Sequence, residues 1–277
     1  MIEAADKNRV KLLVHSKAND PPVIKVRETV ASGQLGRLIQ INTWNYKGWL
    51  RSARLPAEVD TAKGGGVVYR QGAHQVDIVR FIGGGLVKSV RAVTGKWNRN
   101  FDTEGNFTAF LEFEDGTPAT LVFNGYGYFD MTEMTWGIGE GGKKALKKTP
   151  KTPSPKGAVN ASQRYAMPRR AELRKQGREV FQPIFGLTLV SCERGDIRQS
   201  PEGLFIYSEK GQTELLCAPF FDRGTELLNL SNAVNEGTSI PTDGRWGKAT
   251  LEVLLAILQS SEKGREVKLK HQVPNEH

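Results

Sequence analysis

Three glycines run into a histidine in the segment Gly64-Gly65-Gly66-Val67-Val68-Tyr69-Arg70-Gln71-Gly72-Ala73-His74-Gln75-Val76-Asp77, where the chain concentrates its capacity for chemistry. Glycines let a backbone turn tightly and approach a ligand. The apolar spacing of Val76, Ile78, Val79 and Ile82 is helical, so His74 falls in the first turns of a helix that Gly83 to Gly85 stop. There the positive end of the helix dipole favours a neutral imidazole and developing negative charge nearby. A neutral imidazole suits the oxidation of an alcohol: the hydroxyl must lose its proton as the carbon loses hydride, and a group titrating near neutral pH accepts that proton at least cost. Asp77, one turn later, either orients the imidazole or caps and pairs locally. A histidine at a helix start is also commonly a satisfied structural residue, and the flanking glycines are what favour the chemical reading.

Other candidates surround this segment. The basic, proline-containing loop Lys47 to Lys63 leads into the glycines, and Arg51, Arg54 and Lys63 on it are expected to contact a carboxylate if they are not simply solvated. Before the loop, LIQINTWNY (Leu38 to Tyr46) alternates as a strand with a partly polar face. Trp44 and Tyr46 share one face of it, to stack on a ring or to pack in the core.

The elements that must position these residues follow from the pattern. Met1 to Lys7 reads as the back half of a helix, Val10 to Val14 as an apolar strand, and VIKVRETVASG as a helix closed by Gly33. Strands VKSVRAVTGKW, NFTAFLEFEDG and TPATLVFNGYGYF follow, the last two joined by an Asp115-Gly116 hairpin. Leu187 to Cys192, Gly203 to Tyr207 and Thr213 to Leu216 resume the strand pattern, and a helix from about Arg245 to Lys263 precedes the tail strand EVKLK. Residues near 137–180, rich in Gly, Lys, Pro and Ser, are expected to form a flexible insertion. The fold class is α+β: a large, mostly antiparallel sheet with helices on one face.

Composition narrows the function. The 277 residues, 38% of them hydrophobic, suffice for a substantial core, and no apolar run approaches the ~20 residues of a membrane span. The N-terminus lacks the basic start and long apolar stretch of a signal peptide, so a cytoplasmic location is expected. Cys192 and Cys217 read as buried, unpaired thiols. The formal charge of +9 owes much to Lys143 to Lys156, a lysine, proline and threonine stretch without interleaved aromatics. That argues for a solvated loop and an attraction to a small anionic metabolite rather than for nucleic acid. No metal-ligand spacing is present, and no Gly-x-Ser-x-Gly or Cys/His pair supports acyl transfer.

From Val10 onward the chain resembles the glucose-fructose oxidoreductase and inositol dehydrogenase (Gfo/Idh/MocA) family. The likeness rests on the G-G-G...G-x-H-x-x-D element, on ASGQLGRLIQI (Ala31 to Ile41), and on PTDGRWGKATLEVLLAILQSSEKGREV (Pro241 to Val267). INTWNY, GGGVVYRQGAHQVDIVRFIGGG and FGLTLVSCERGDIRQSPEGLFIY are most similar to its 4,5-dihydro-4,5-dihydroxyphthalate dehydrogenase group. The resemblance implies NAD(P)-dependent oxidation of a diol on a carboxylated ring, as in aromatic catabolism. It also implies a catalytic His74 and Asp77, and a homo-oligomer formed through the sheet. Lys17, for substrate, and Asn19, for cofactor, fall where the family's cofactor domain meets the pocket, unless they belong to a plain loop.

Two departures accompany it. The family's G-x-G-x-x-G turn and Glu-Lys-Pro segment are missing, and Gly125-Tyr126-Gly127 and Gly137-Ile138-Gly139 do not replace them. Residues 1–30 are therefore expected to be the remnant of a Rossmann domain, and 31–277 the substrate-binding, catalytic and oligomerisation domain. The second departure is Arg70, four residues before His74, where many members hold an acid. It either grips a substrate carboxylate or lies on the surface. The rival expectation is a truncated, inactive module that binds a ligand or dimerises.

Overall fold

The computed structural model describes residues 1–52, 54–144, 181–219 and 223–275. Its frame is a nine-stranded sheet with β1 (Leu38–Tyr46) at the centre. On one side lie β2 (Val87–Gly95), β3 (Asn106–Phe113) and β4 (Pro118–Asn124). On the other lie β5 (Leu187–Cys192), β6 (Gly195–Gln199), β7 (Gly203–Ser208) and β8 (Gly211–Leu216). With the short β9 (Val267–Lys268) the order is β8-β7-β6-β5-β1-β4-β3-β2-β9. Every neighbouring pair is antiparallel except β1 with β4, so the mostly antiparallel expectation holds.

Side chains alternate along each strand, which gives the sheet two different faces. Ile41, Phe107, Leu111, Leu121, Phe123 and Val190 point to the face covered by α2 (Pro21–Ala31), α3 (Ala73–Ile82) and α5 (Gly244–Lys263). Those helices bury Val26, Val76, Val79, Ile82, Val253, Leu254 and Ile257 against it. Full burial of each such side chain stabilises the fold by about 1.5–3 kcal/mol. Along the other face one row runs Val93, Thr108, Val122, Trp44, Leu187 across the paired strands, and Phe110 there is 45% exposed. α5 starts at Asp243, whose carboxylate accepts from Trp246 N at 2.8 Å, and stops at the left-handed Gly264. No described helix is long and apolar enough to cross a membrane.

Three expectations change. Val10 to Val14 is not a strand: among the described residues it makes only an isolated bridge from Leu13 to Asp243, and Val10 is 60% exposed. Helix α4 (Gly224–Asn235), following α1 (Ile2–Lys7) to α3 in chain order, is an element the periodicity did not single out. Cys192 lies buried in β5, but Cys217 falls just past β8, and both are free thiols. Most of the expected insertion, residues 145–180, lies outside the described residues. Its first part, 137–144, is a strap closed by a bridge between Ile138 and Lys144.

Candidate active site

The glycine segment delivers His74 by packing against its own chain. Gly66, at φ +91°, lies so close to the buried Glu104 and to Thr103 that a Cβ would stand 2.3 Å from Glu104 Oε1, and a Cβ on Gly65 would meet the Ala57 carbonyl at 2.4 Å. The close approach these glycines permit is thus to backbone and Glu104, not to a ligand. Glu104 accepts from Val68 N at 2.9 Å and from Thr61 Oγ1 at 2.5 Å, which fixes the turn. A single π-helical turn, Val68–Gly72, then leads into α3, with His74 its second residue.

Around the imidazole stand groups from four other segments. Phe185 meets His74 edge-on at 5.3 Å between ring centroids, and His15 does so at 6.4 Å. Lys47, following directly on β1, places Nζ 5.6 Å from the Phe185 centroid and 3.4 Å from both carboxylate oxygens of Glu140. Lys17, in a short 3₁₀ turn, donates to the Glu140 carbonyl at 3.2 Å and lies 3.5 Å from Asp20. Burial, then Lys17, with His15 and Lys47 acting in the same sense, pushes the His74 pKa from 6.5 down to about 4, against Glu140. The imidazole is therefore neutral at physiological pH, and it holds an added proton less tightly than an exposed histidine does. Burial pushes Glu140 up, but Lys47 and then Lys17 outweigh it and hold the carboxylate below its usual range.

A cleft of about 410 Å³ adjoins this group, walled by Lys47, Phe185, Glu140, Asn45, Trp49 and Arg54 among others. His74 does not line it directly; its nearest wall is the Phe185 ring. A larger cleft of about 690 Å³ lies on the α1 side, between Ile2, Arg9, Leu12, Pro241 and Arg245, and none of the titratable groups around His74 lines it. We place the chemistry by the convergence of titratable groups rather than by size.

Asp77 is taken up elsewhere. Buried, it accepts from Trp246 Nε1 at 2.6 Å, from Thr250 Oγ1 at 2.8 Å and from Ser16 Oγ, so it ties α3 to α5 and to the Lys17 turn instead of orienting the imidazole. Asn19 is likewise buried, donating to Thr242 Oγ1 at 3.0 Å and to Glu226 Oε1 at 3.2 Å, so its amide braces the Lys17 turn against α4. Glu226, on α4, also receives Ser16 N at 2.8 Å and faces His15 Nδ1 at 2.8 Å.

Trp44 and Tyr46 lie on the wrong face of β1. Gln75 of α3 donates to the Thr43 carbonyl at 3.2 Å and reaches its hydroxyl at 3.3 Å, so Thr43 and Asn45 face the site while Trp44 and Tyr46 face the open side of the sheet. Tyr46 there packs edge-on against Phe129. Of the expected anion clamp, Arg54 lines the cleft, stacking over Trp49 at 4.4 Å and donating to its carbonyl at 3.0 Å. Arg51 instead stacks over Tyr128 at 4.2 Å. Lys63 is exposed and paired with Asp60 at 2.7 Å, and Arg70 is exposed on the π-helical turn; none of these three lines the cleft.

Lys47, Glu140, Phe185 and His15 were not anticipated. For Lys47 a signal existed, since it continues the odd-numbered face of Thr43 and Asn45. Among the described residues there is no cluster of three or more His, Cys, Asp or Glu that could hold a metal. Gly125 and Gly127 do not form a phosphate cradle: added Cβ atoms would meet Val67 at 2.8 Å and the Lys47 backbone at 2.7 Å.

Comparison with known proteins agrees with this architecture. Residues 23–142 match the GFO/IDH/MocA C-terminal domain. A crystal structure from Bordetella bronchiseptica RB50, provisionally described as a dehydrogenase, superposes with a TM-score of 0.84 at 37% identity, covering 97% of this chain and 72% of that one. The chain belongs to the Gfo/Idh/MocA family. A curated relative, 1-carboxy-3-chloro-3,4-dihydroxycyclohexa-1,5-diene dehydrogenase of Comamonas testosteroni, is 28% identical over 261 residues. The match takes in 90% of this family member and 65% of that relative's length. An Agrobacterium radiobacter oxidoreductase, solved with NAD+, L-tartaric acid and magnesium, shares the fold at a TM-score of 0.62 and 17% identity, over 96% of this chain and 67% of its own.

Proposed function

We propose that this chain forms the substrate-binding and catalytic part of an NAD(P)-dependent dehydrogenase that oxidises a hydroxyl of a small carboxylated cyclic diol, with His74 as proton acceptor. The observation that carries the reading is the neutral, mostly buried imidazole at the start of α3, set behind a cleft walled by Lys47 and flanked by Lys17. The names of the Comamonas and Agrobacterium proteins support the substrate class and the cofactor. When bound, the nicotinamide takes up the hydride. The chain's own contribution is to hold the ring against Phe185, to balance its carboxylate with Lys17 and Lys47, and to receive the hydroxyl proton on the His74 imidazole. Asp77, through Ser16, Trp246 and Thr250, holds α3 in place beneath the imidazole.

In this reading residues 1–30 are a remnant of the nucleotide-binding domain and 31–277 form the substrate-binding, catalytic and oligomerisation domain. The open sheet face, with Trp44, Val122 and Leu187 in one row and Phe110 near them, supports assembly as a homo-oligomer through the sheet.

The test is NAD+ and NADP+ reduction by the purified protein with ring-carboxylated cis-diols. His74→Gln is expected to lower kcat by about 10²–10⁴-fold with little change in KM. A kcat unchanged by that substitution would remove His74 from the chemistry.

A further inference from the structure

Lys17 and Lys47 come from separate elements yet meet at one residue of the 137–144 strap. Lys47 Nζ is 3.4 Å from each Glu140 carboxylate oxygen, and Lys17 Nζ is 3.2 Å from the Glu140 carbonyl and 3.5 Å from Asp20. Two equal, long contacts describe a charge facing a carboxylate across a gap, not a tight hydrogen bond. The Glu140 side chain is 50% exposed, so the pair adds little stability. Glycines flank it at 139 and 141, and Gly137 and Gly142 take positive φ, which leaves the strap few side chains to anchor it.

The charges balance: Asp20 stands beside Lys17, and Glu140 beside Lys47. Arg54, Lys143 and Asp130 also line the cleft, so this balance describes these four groups alone, and a further anion can pair closely with Lys47 only if Glu140 leaves. Asp20 is buried at 8% exposure, whereas Glu140 sits at the rim of the cleft. Phe185, under Lys47 and against His74, offers a flat apolar wall for a ring.

We propose that Lys17 and Lys47 form a carboxylate seat, that Glu140 fills it from within the chain, and that the carboxylate of a ring-shaped ligand enters by displacing Glu140. Glu140 thereby sets the site's selectivity, because a neutral ring gains nothing by displacing it. The choice of a ring carboxylate rests on the dehydrogenase reading; the lysine and glutamate geometry does not.

Benzoate, with benzamide as its neutral counterpart, serves as the probe, titrated into wild type, Glu140→Gln and Lys47→Met by calorimetry with the His74 ring resonances followed in parallel. Glu140→Gln is expected to bind benzoate about five-fold more tightly than wild type and benzamide no differently, while Lys47→Met weakens benzoate about ten-fold. Benzoate binding that does not tighten in Glu140→Gln, or tightening equal for both probes, overturns the proposal, as does failure of benzoate to bind either form. Should Glu140→Gln lose its far-ultraviolet dichroism, Glu140→Ala carries the same test. An enzyme that turns over diols while Glu140→Gln gains nothing loses the seat alone; a chain that gains benzoate affinity without turnover loses the redox reading alone.

Discussion

Asp77 and Glu140 are both acids within the neighbourhood of His74, and the chain holds them in opposite ways. Asp77 is 6% exposed, accepts three hydrogen bonds and has Arg80 close behind it, itself fully buried and donating to Thr250 Oγ1 at 2.8 Å. Burial pushes the Asp77 carboxyl up, and the donors and Arg80 offset this only in part. Glu140 faces its lysines at long range from the rim, with water at hand. The first arrangement fixes a frame, since each of its members would be left unsatisfied if the others moved. The second holds charge in place without fixing geometry, which suits a contact that must be exchanged during binding.

Removing the frame's acid should have the largest effect. Asp77→Ala leaves the Ser16 hydroxyl, the Trp246 indole and Thr250 without their acceptor and Arg80 with only the weaker attraction of Glu252, and is expected to cost about 3 kcal/mol in denaturant unfolding. A loss below about 1 kcal/mol would place Asp77 in the same class as Glu140 and end the contrast.

His74, between the two acids, gives the next effect through pH. Its pKa is held at about 4, chiefly by burial and then by Lys17, against 6.5 in the unfolded chain. Between those values the unfolded chain binds the extra proton. Stability from this group is therefore full above about pH 6.5 and is lost as pH falls toward 4, by about 2 kcal/mol at pH 5. Asp20 works against this in the same window: burial first, opposed by Lys17, pushes it up to about 6, so the folded chain binds its proton more readily. The difference between wild type and His74→Gln isolates the histidine. The variant should unfold less readily than wild type at pH 5, relative to their difference at pH 7, and equal differences at both pH values would contradict a buried neutral imidazole.

The contrast between the two acids also explains what could be read in advance. The helix carrying His74, strands β2 to β4 with their Asp115-Gly116 hairpin and the final helix were legible because each rests on local periodicity and local turn chemistry. The face of β1 was not, because both parities carry residues fit for a pocket; it is the burial of Ile41 in the core and the contacts of Gln75 with Thr43 that go with Asn45 and Lys47 inward and Trp44 outward. Asp77 was singled out as a candidate beside His74, but its partners lie 61 to 173 positions away, and no spacing reveals them. Arg51 and Lys63 were candidates by charge alone, and each finds a neighbour nearer than the cleft: Tyr128 and Asp60. Glu140 and Phe185 sit in segments with no period at all, where only the fold brings them to the lysines.

The smallest expected effect is the one that decides the contrast. If Glu140 is a displaceable occupant, Glu140→Gln should change unfolding free energy by no more than about 0.5 kcal/mol, because a half-exposed pair at 3.4 Å is worth little against the entropy of holding two long side chains. If instead the carboxylate braces the strap, the loss should exceed about 1.5 kcal/mol, comparable with breaking a buried polar contact. The same variant is expected to gain benzoate affinity, so stability and binding must move independently: a strut would lose the first without gaining the second.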